Sequence, residues 1–258
     1  DEANLHFFPN IKKAQELDST LAEVYYWKAI KDVWTDYNWN TGEKAFLKAL
    51  ELNTNTSETH ALYSNFLLTQ NRIKEARKEI DIALDLDPKN PFVLTLNSVN
   101  LFTEGHYKEC IDLATPLQKR FPSNPLINLS LFQSYSQTKD YDNLVEQAKI
   151  WLKLENHSDV IPILIEGYKQ KDKENAFLLT CQALEKKDNN LLMAQTMFTF
   201  YSEANNIDKT LDWVEKSYIR RDPDIPFINI IPSLKPFRGN ARLKELILRL
   251  KFQNSNIN

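Results

Sequence analysis

At 258 residues, 42% hydrophobic and 26% charged, the chain has ordinary globular usage, which affords a substantial core and argues against bulk disorder. A formal net charge of −3 leaves no global electrostatic footprint for nucleic acid, and 4 Gly are fewer than a turn-rich sheet fold needs. No apolar run is long enough to span a bilayer and no signal peptide opens the chain; beginning at Asp1, it is expected to be a processed product or a piece of something longer.

Taken in chain order, the elements are helical. Residues 9–19 read as the second helix of a partial repeat, with Ala14, Leu17 and Asp18 in register. Residues 22–55 follow as a helix pair marked by Gly42, Phe46, Ala49 and Leu52, with one extra residue near Asp36-Tyr37-Asn38-Trp39. The segments 57–90, 91–124 and 125–157 then align at a period of 34. Ala76, Ile80 and Ala83 in the first correspond to Cys110, Ala114 and Leu117, and to Leu144, Ala148 and Trp151. Small residues at these places let two helices approach closely. Asn71-Arg72-Ile73, Gly105-His106-Tyr107 and Lys139-Asp140-Tyr141 mark the turn within each pair, while Asn90-Pro91 and Asn124-Pro125 set an N-cap before a Pro at the first helical position. Residues 158–187 form a shortened pair, and 191–222 recover the register with Phe198, Tyr201, Thr210, Val214 and Ser217. The remainder, 224–258, is a Pro-punctuated loop and a helix from about Asn240, expected to cap the last apolar face.

These residues resemble the tetratricopeptide repeat (TPR), in which Ala-x3-Phe-x2-Ala and then Pro mark the second helix. The resemblance implies an all-α fold, a right-handed α-solenoid of helix-turn-helix repeats over residues 1–223 with the capping segment behind it. Two stretches narrow it: Trp34-Thr35-Asp36-Tyr37-Asn38-Trp39-Asn40, and the tail with Pro232, Leu234, Pro236, Phe237, Arg238, Asn240, Arg242 and Leu243. Together they are similar to the C-terminal repeat region of multidomain bacterial regulators, where an adenylate-cyclase-like or winged-helix domain precedes the repeats. Ala241 stands where that tail usually has Pro. The resemblance implies a missing N-terminal effector domain, a bacterial cytoplasmic setting, and no catalytic residue in this chain. A free-standing periplasmic or secreted assembly factor is the alternative.

Chemistry is not evident. His6, His60, His106 and His157 fall in different units without the i, i+4 spacing of a helical zinc site, and Cys110 and Cys181 lie far apart on apolar helix faces. The four glycines are scattered singly, so no loop cradles phosphate. No enzyme activity, cofactor or metal is expected. Lys235, Arg238, Arg242, Lys244, Arg249 and Lys251 oppose only Glu245, a surplus that suits nucleic acid or anionic lipid. The preferred expectation is the polar face of a cap helix whose Leu243, Leu246, Ile247 and Leu250 point inward, with no nucleic acid contacted and no membrane insertion.

In stacked helix pairs the first helices line the concave surface. Their inward places select Glu58, Ala61, Asn65 and Leu68; then Phe92, Thr95, Val99 and Phe102; then Leu126, Leu129, Gln133 and Ser136. The unit at 22–55 is set aside because its insertion blurs the register. Such a groove is apolar and amide-rich. Leu96, Leu126 and Ser130 stand where a clamp for an acidic chaperone tail needs polar or basic groups, so that ligand is not expected. The groove suits a protein partner presenting a helix or extended peptide, with Asn65 and Gln133 offering backbone hydrogen bonds. Phe92 and Phe102 are open between groove and core.

Overall fold

The structure is a computed structural model and describes residues 8–187 and 193–252. Every regular element among them is helical, and the fold is an all-α solenoid of TPR-type helix pairs. Two compact units divide inside one helix, the described residues 8–100 with 250–252 forming the first and those between 101 and 249 the second. Of the tail expected to begin at 224, residues up to 249 fall in the second unit and those from 250 in the first.

In the first unit α1 (Phe8–Leu17) leads into α2 (Ala22–Ile30) and α3 (Trp39–Leu52), then α4 (Ser57–Thr69) and α5 (Ile73–Leu86). The extra residue of the 22–55 repeat is absorbed by a π-helical turn, Lys31–Thr35, where Asp36 N–H donates to the Lys31 carbonyl at 3.0 Å. Gly42 lets α3 come close behind that turn, since a Cβ there would sit 2.5 Å from Val33 Cγ2. Trp39 is buried between the Tyr37 and Phe252 rings, 5.7 and 5.2 Å away, and its Nε1–H donates to the Leu250 carbonyl at 2.7 Å. The Trp-bearing stretch thus holds the residues that follow the cap helix.

α6 (Pro91–Glu104) runs through the division, and the second unit continues with α7 (Tyr107–Arg120), α8 (Pro125–Thr138) and α9 (Tyr141–Leu154). A 3-10 turn, Ser158–Val160, opens the short pair α10 (Ile161–Gly167) and α11 (Lys173–Glu185); α12 (Ala194–Glu203) and α13 (Ile207–Arg220) follow. The start of the repeat placed at 191–222 lies outside the described residues. The register residues are core throughout: Ala76, Ile80, Ala83, Cys110, Ala114, Leu117, Leu144, Ala148 and Trp151 are all buried, as are Phe198, Tyr201, Thr210, Val214 and Ser217.

One backbone feature repeats with the sequence. Tyr37, Asn71, Gly105 and Lys139 have positive φ, 34 residues apart, and Lys171 and Asn205 continue the series across the shortened pair. At three of these turns the following N–H reaches back five residues, from Arg72 to Leu67, His106 to Leu101 and Asp140 to Tyr135, closing the helix end in a Schellman motif. Only Gly105 is glycine, so Lys139 at φ 58° carries a Cβ in a region that disfavours one. Asn124 caps α8 by accepting from Leu126 and Ile127 N–H, ahead of Pro125. Lys139→Gly is expected to stabilise the chain by about 1 kcal/mol by relieving that strain; an unchanged or lower urea midpoint would show that the turn carries no such cost.

Candidate peptide-binding surface

The first helices α4, α8 and α12 are buried on nearly every side, unlike the second helices, which bury one stripe. This determines what the expected groove residues do. In the first unit Leu68 and Val99 are core, Thr95 is buried with its hydroxyl donating to the Pro91 carbonyl, and Phe92 is 38% exposed. Asn65 is buried, and its Oδ1 has no hydrogen-bond partner among the described residues. Glu58 is half-buried and opens onto a hollow lined by Tyr26, Trp27, Thr56 and Thr59. Its own backbone N–H, opposed by burial and helped by Asn90 and Ser57, holds the carboxyl below the usual range. Tyr26 and Trp27 belong to the unit set aside for its insertion, so the sequence pattern misses them.

In the second unit Phe102 is 1% exposed, which places it in the core rather than on an accessible face. Leu129 is buried as well. Gln133 is 0% exposed, yet its amide is fully engaged: Ser233 N–H donates to Oε1 at 3.2 Å, and Nε2–H donates to Ser233 Oγ at 3.3 Å. The partner is the chain's own tail. A 3-10 segment, Pro232–Phe237, lies on α8 and α12, and a preceding one, Ile225–Asn229, lies on α13. Ile225, Ile228, Ile231, Leu234 and Phe237 are buried there.

The tail is therefore not a single cap, as the sequence suggests. Its capping piece is α14 (Ala241–Arg249), which packs on α13 through Leu243, Leu246 and Ile247. Arg242 donates to Asp212 at 2.8 Å and to Glu215 at 2.5 Å, and Arg249 donates to Glu245. Two of the basic residues considered for nucleic acid are thus committed to carboxylates of α13 and α14. Residues 232–237, by contrast, lie across the first helices α8 and α12, where Gln133 holds a backbone amide. The sequence offered a signal for this, Pro232 and Pro236 breaking an apolar run.

Beside that surface, Ser136 donates to Glu203 at 2.6 Å, and Lys173 reaches the same carboxylate at 2.9 Å. Beneath it Phe132, Trp151, Phe177 and Phe200 form a ring cluster with centroids 5.0–6.0 Å apart. Burial pushes the Cys110 thiol up to about 11 and that of Cys181 well above its ordinary value, which keeps both protonated. Among the described residues no group of three or more His, Cys, Asp or Glu side chains is placed to hold a metal. His60 is tied to Glu79 and the Thr54 carbonyl, and His6 lies outside the described residues.

Fold and surface together define a TPR-type helical array in which α8 and α12 hold a 3-10 segment of the chain's own tail. No model of a known protein family matches the chain, and no curated protein matches it. Among solved structures it is similar to Pseudomonas aeruginosa PilF, with a TM-score of 0.54, 15% identity, and coverage of 82% of this chain and 96% of that one. Yeast Tom70 aligns at a TM-score of 0.47 and 20% identity, over 96% of this chain and 53% of that one. YrrB, a TPR protein with an unusual peptide-binding site, aligns at 0.46 and 14%, over 93% and 97%. At such identities the likeness concerns the fold alone, and it rests on PilF.

Two measurements follow from these placements. Phe102→Ala is expected to cost about 3–5 kcal/mol in folding stability, as a core cavity does; a loss under about 1 kcal/mol would return Phe102 to the accessible groove. Asp224, at the start of the docked tail, has its carboxyl pushed up to about 6 by burial and then by the charge of Asp222. A carboxyl raised on folding favours the folded state at low pH, and that contribution fades as pH rises through about 6. The stability of Asp224→Asn relative to the parent chain should therefore climb between about pH 4 and about pH 7. A difference flat across that range, followed by urea titration, would contradict the assignment.

Proposed function

We propose that the chain is a non-catalytic module that binds a protein or peptide, and that it serves as the sensory or regulatory C-terminal part of a bacterial signalling or transcription regulator in the cytoplasm. The observation that carries the binding half is the Gln133–Ser233 contact. Main-chain hydrogen bonds with apolar side chains beside them are one way peptide segments are recognised, and α8 holds the 3-10 segment Pro232–Phe237 in that manner. The regulatory half is supported by the resemblance of the Trp-bearing stretch and the Pro-Phe-Arg tail to the repeat regions of such regulators. The partner is expected to meet the first-helix side, where Phe92 is an exposed aromatic anchor and Trp27 borders a hollow.

A photo-crosslinking amino acid placed at position 92 should form a saturable adduct with one cellular protein. The same probe at position 219, where Ile219 is 73% exposed on α13, should not capture that protein. Equal capture from both positions, or none from position 92, would reject the first-helix face as the binding surface.

A further inference from the structure

The tail segment 225–237 packs as two 3-10 turns rather than as an α-helix of the array. Its internal hydrogen bonds are 3-10 bonds that reach back three residues, such as Ile230 to Phe227, Leu234 to Ile231 and Arg238 to Lys235, so it forms two short 3-10 turns and no α-helix. What holds its shape is the surface under it: Gln133 grips the Ser233 main chain and hydroxyl, while Ile231 and Leu234 are fully buried. Pro232 and Pro236 flank Ser233 and Leu234 and restrict the free chain, which lowers the entropy lost on docking.

Both flanks are anchored independently of this contact. On the upstream side α13 ends at Arg221 in the left-handed region, φ 56°, followed by Asp222-Pro223. On the downstream side Gly239 has open space around its Cα, Asn240 caps α14 by accepting from Arg242 N–H, and α14 is held to α13 by Arg242. The segment is a strap fastened at two ends, and lifting it does not require α13 or α14 to unfold.

We propose that the face of α8 and α12 is a peptide groove kept occupied in cis by the Pro232–Phe237 part of the strap, and that its partner is another protein's proline-punctuated apolar segment able to take up the same 3-10 turn, which binds by replacing the strap. The occupant's chemistry is read from the segment seated there: a backbone N–H opposite Gln133, a small hydroxyl beside it, and branched or aromatic side chains on either side. An acidic peptide does not fit, because Glu203 lies by the groove on Ser136 and the seated segment presents Lys235 as its only charge in the apolar stretch. This inference rests on the reading of the chain as a peptide-binding module and adds that the site is self-regulated.

The test uses the full chain and a fluorescent synthetic peptide with the sequence of residues 225–237. Leu234→Asp should loosen the strap, and the variant should bind the peptide at least about tenfold more tightly than the parent chain, whose groove is occupied. Adding Gln133→Ala should remove most of that gain. A folded Leu234→Asp variant that binds no better, or that binds equally well with Gln133→Ala, overturns the proposal. Should Leu234→Asp fail to fold, hydrogen exchange of the parent chain decides: the Ser233 and Leu234 amides should open well before those of α8 and α12. Exchange of all of them only by global unfolding makes the strap core and refutes the idea. A concentration-dependent dimer that exchanges straps would make the occupant a second copy, which also overturns a foreign partner. A cellular adduct at position 92 together with a folded Leu234→Asp variant that gains no peptide binding would sink this inference alone; peptide exchange in the groove with no cellular adduct would sink the proposed function instead.

Discussion

Helices in this fold can approach closely only where small residues meet at the crossing, and that requirement recurs every 34 residues. Ala76 and Ala83, then Ala114, then Ala148 are fully buried at those crossings. Each close-packed pair leaves an apolar face that only its neighbour covers, as α3 meets α4 and α11 meets α12. Turn chemistry follows: a helix that must reverse within two residues ends in the left-handed region, at Asn71, Gly105 and Lys139 alike. The array then tolerates local variation, such as the π-turn at Lys31–Thr35, so long as Gly42 preserves the approach.

The same stacking surrounds the first helices, and buried helices carry polar groups that need partners. Ser64 donates to Asn100, whose amide donates in turn to the Leu96 carbonyl. Glu203 takes Ser136 and Lys173. Gln133 is satisfied only by reaching a residue 100 positions away in sequence, which ties the tail to the concave face. Asn65 occupies the corresponding place two repeats earlier, and its Oδ1 has no such donor among the described residues. A buried, unpaired acceptor costs on the order of 1–3 kcal/mol.

Electrostatics sharpen the contrast between cap and strap. α14 is bound by Arg242 to carboxylates at the surface, an attachment that salt weakens. The strap is held by apolar burial and amide hydrogen bonds, and its upstream end brings Asp224 close enough to Glu155 to oppose that group's ionisation. Burial is the larger cause for both carboxyls. The two pieces of tail therefore respond to different conditions, although they are contiguous in the chain.

The helix pairs, their boundaries and the second-helix core were legible because each second helix buries one stripe, and a stripe leaves a 3.6-residue period in the sequence. Cys110, Ala114 and Leu117 or Thr210, Val214 and Ser217 could be named as core from spacing alone. The first-helix face was not legible in the same way. α4 and α8 are buried almost all round, so no period separates a groove position from a stacking one, and Leu68, Val99 and Phe102 proved to be core. Nor did spacing reveal that 232–237 would lie on α8 and α12 while α14 packs on α13. The sequence by itself determined a TPR-type array, because the repeat is local and each unit restates it. Tertiary structure decided what occupies its concave face, because the Gln133–Ser233 contact joins residues with no shared period and forms only once the intervening helices have stacked.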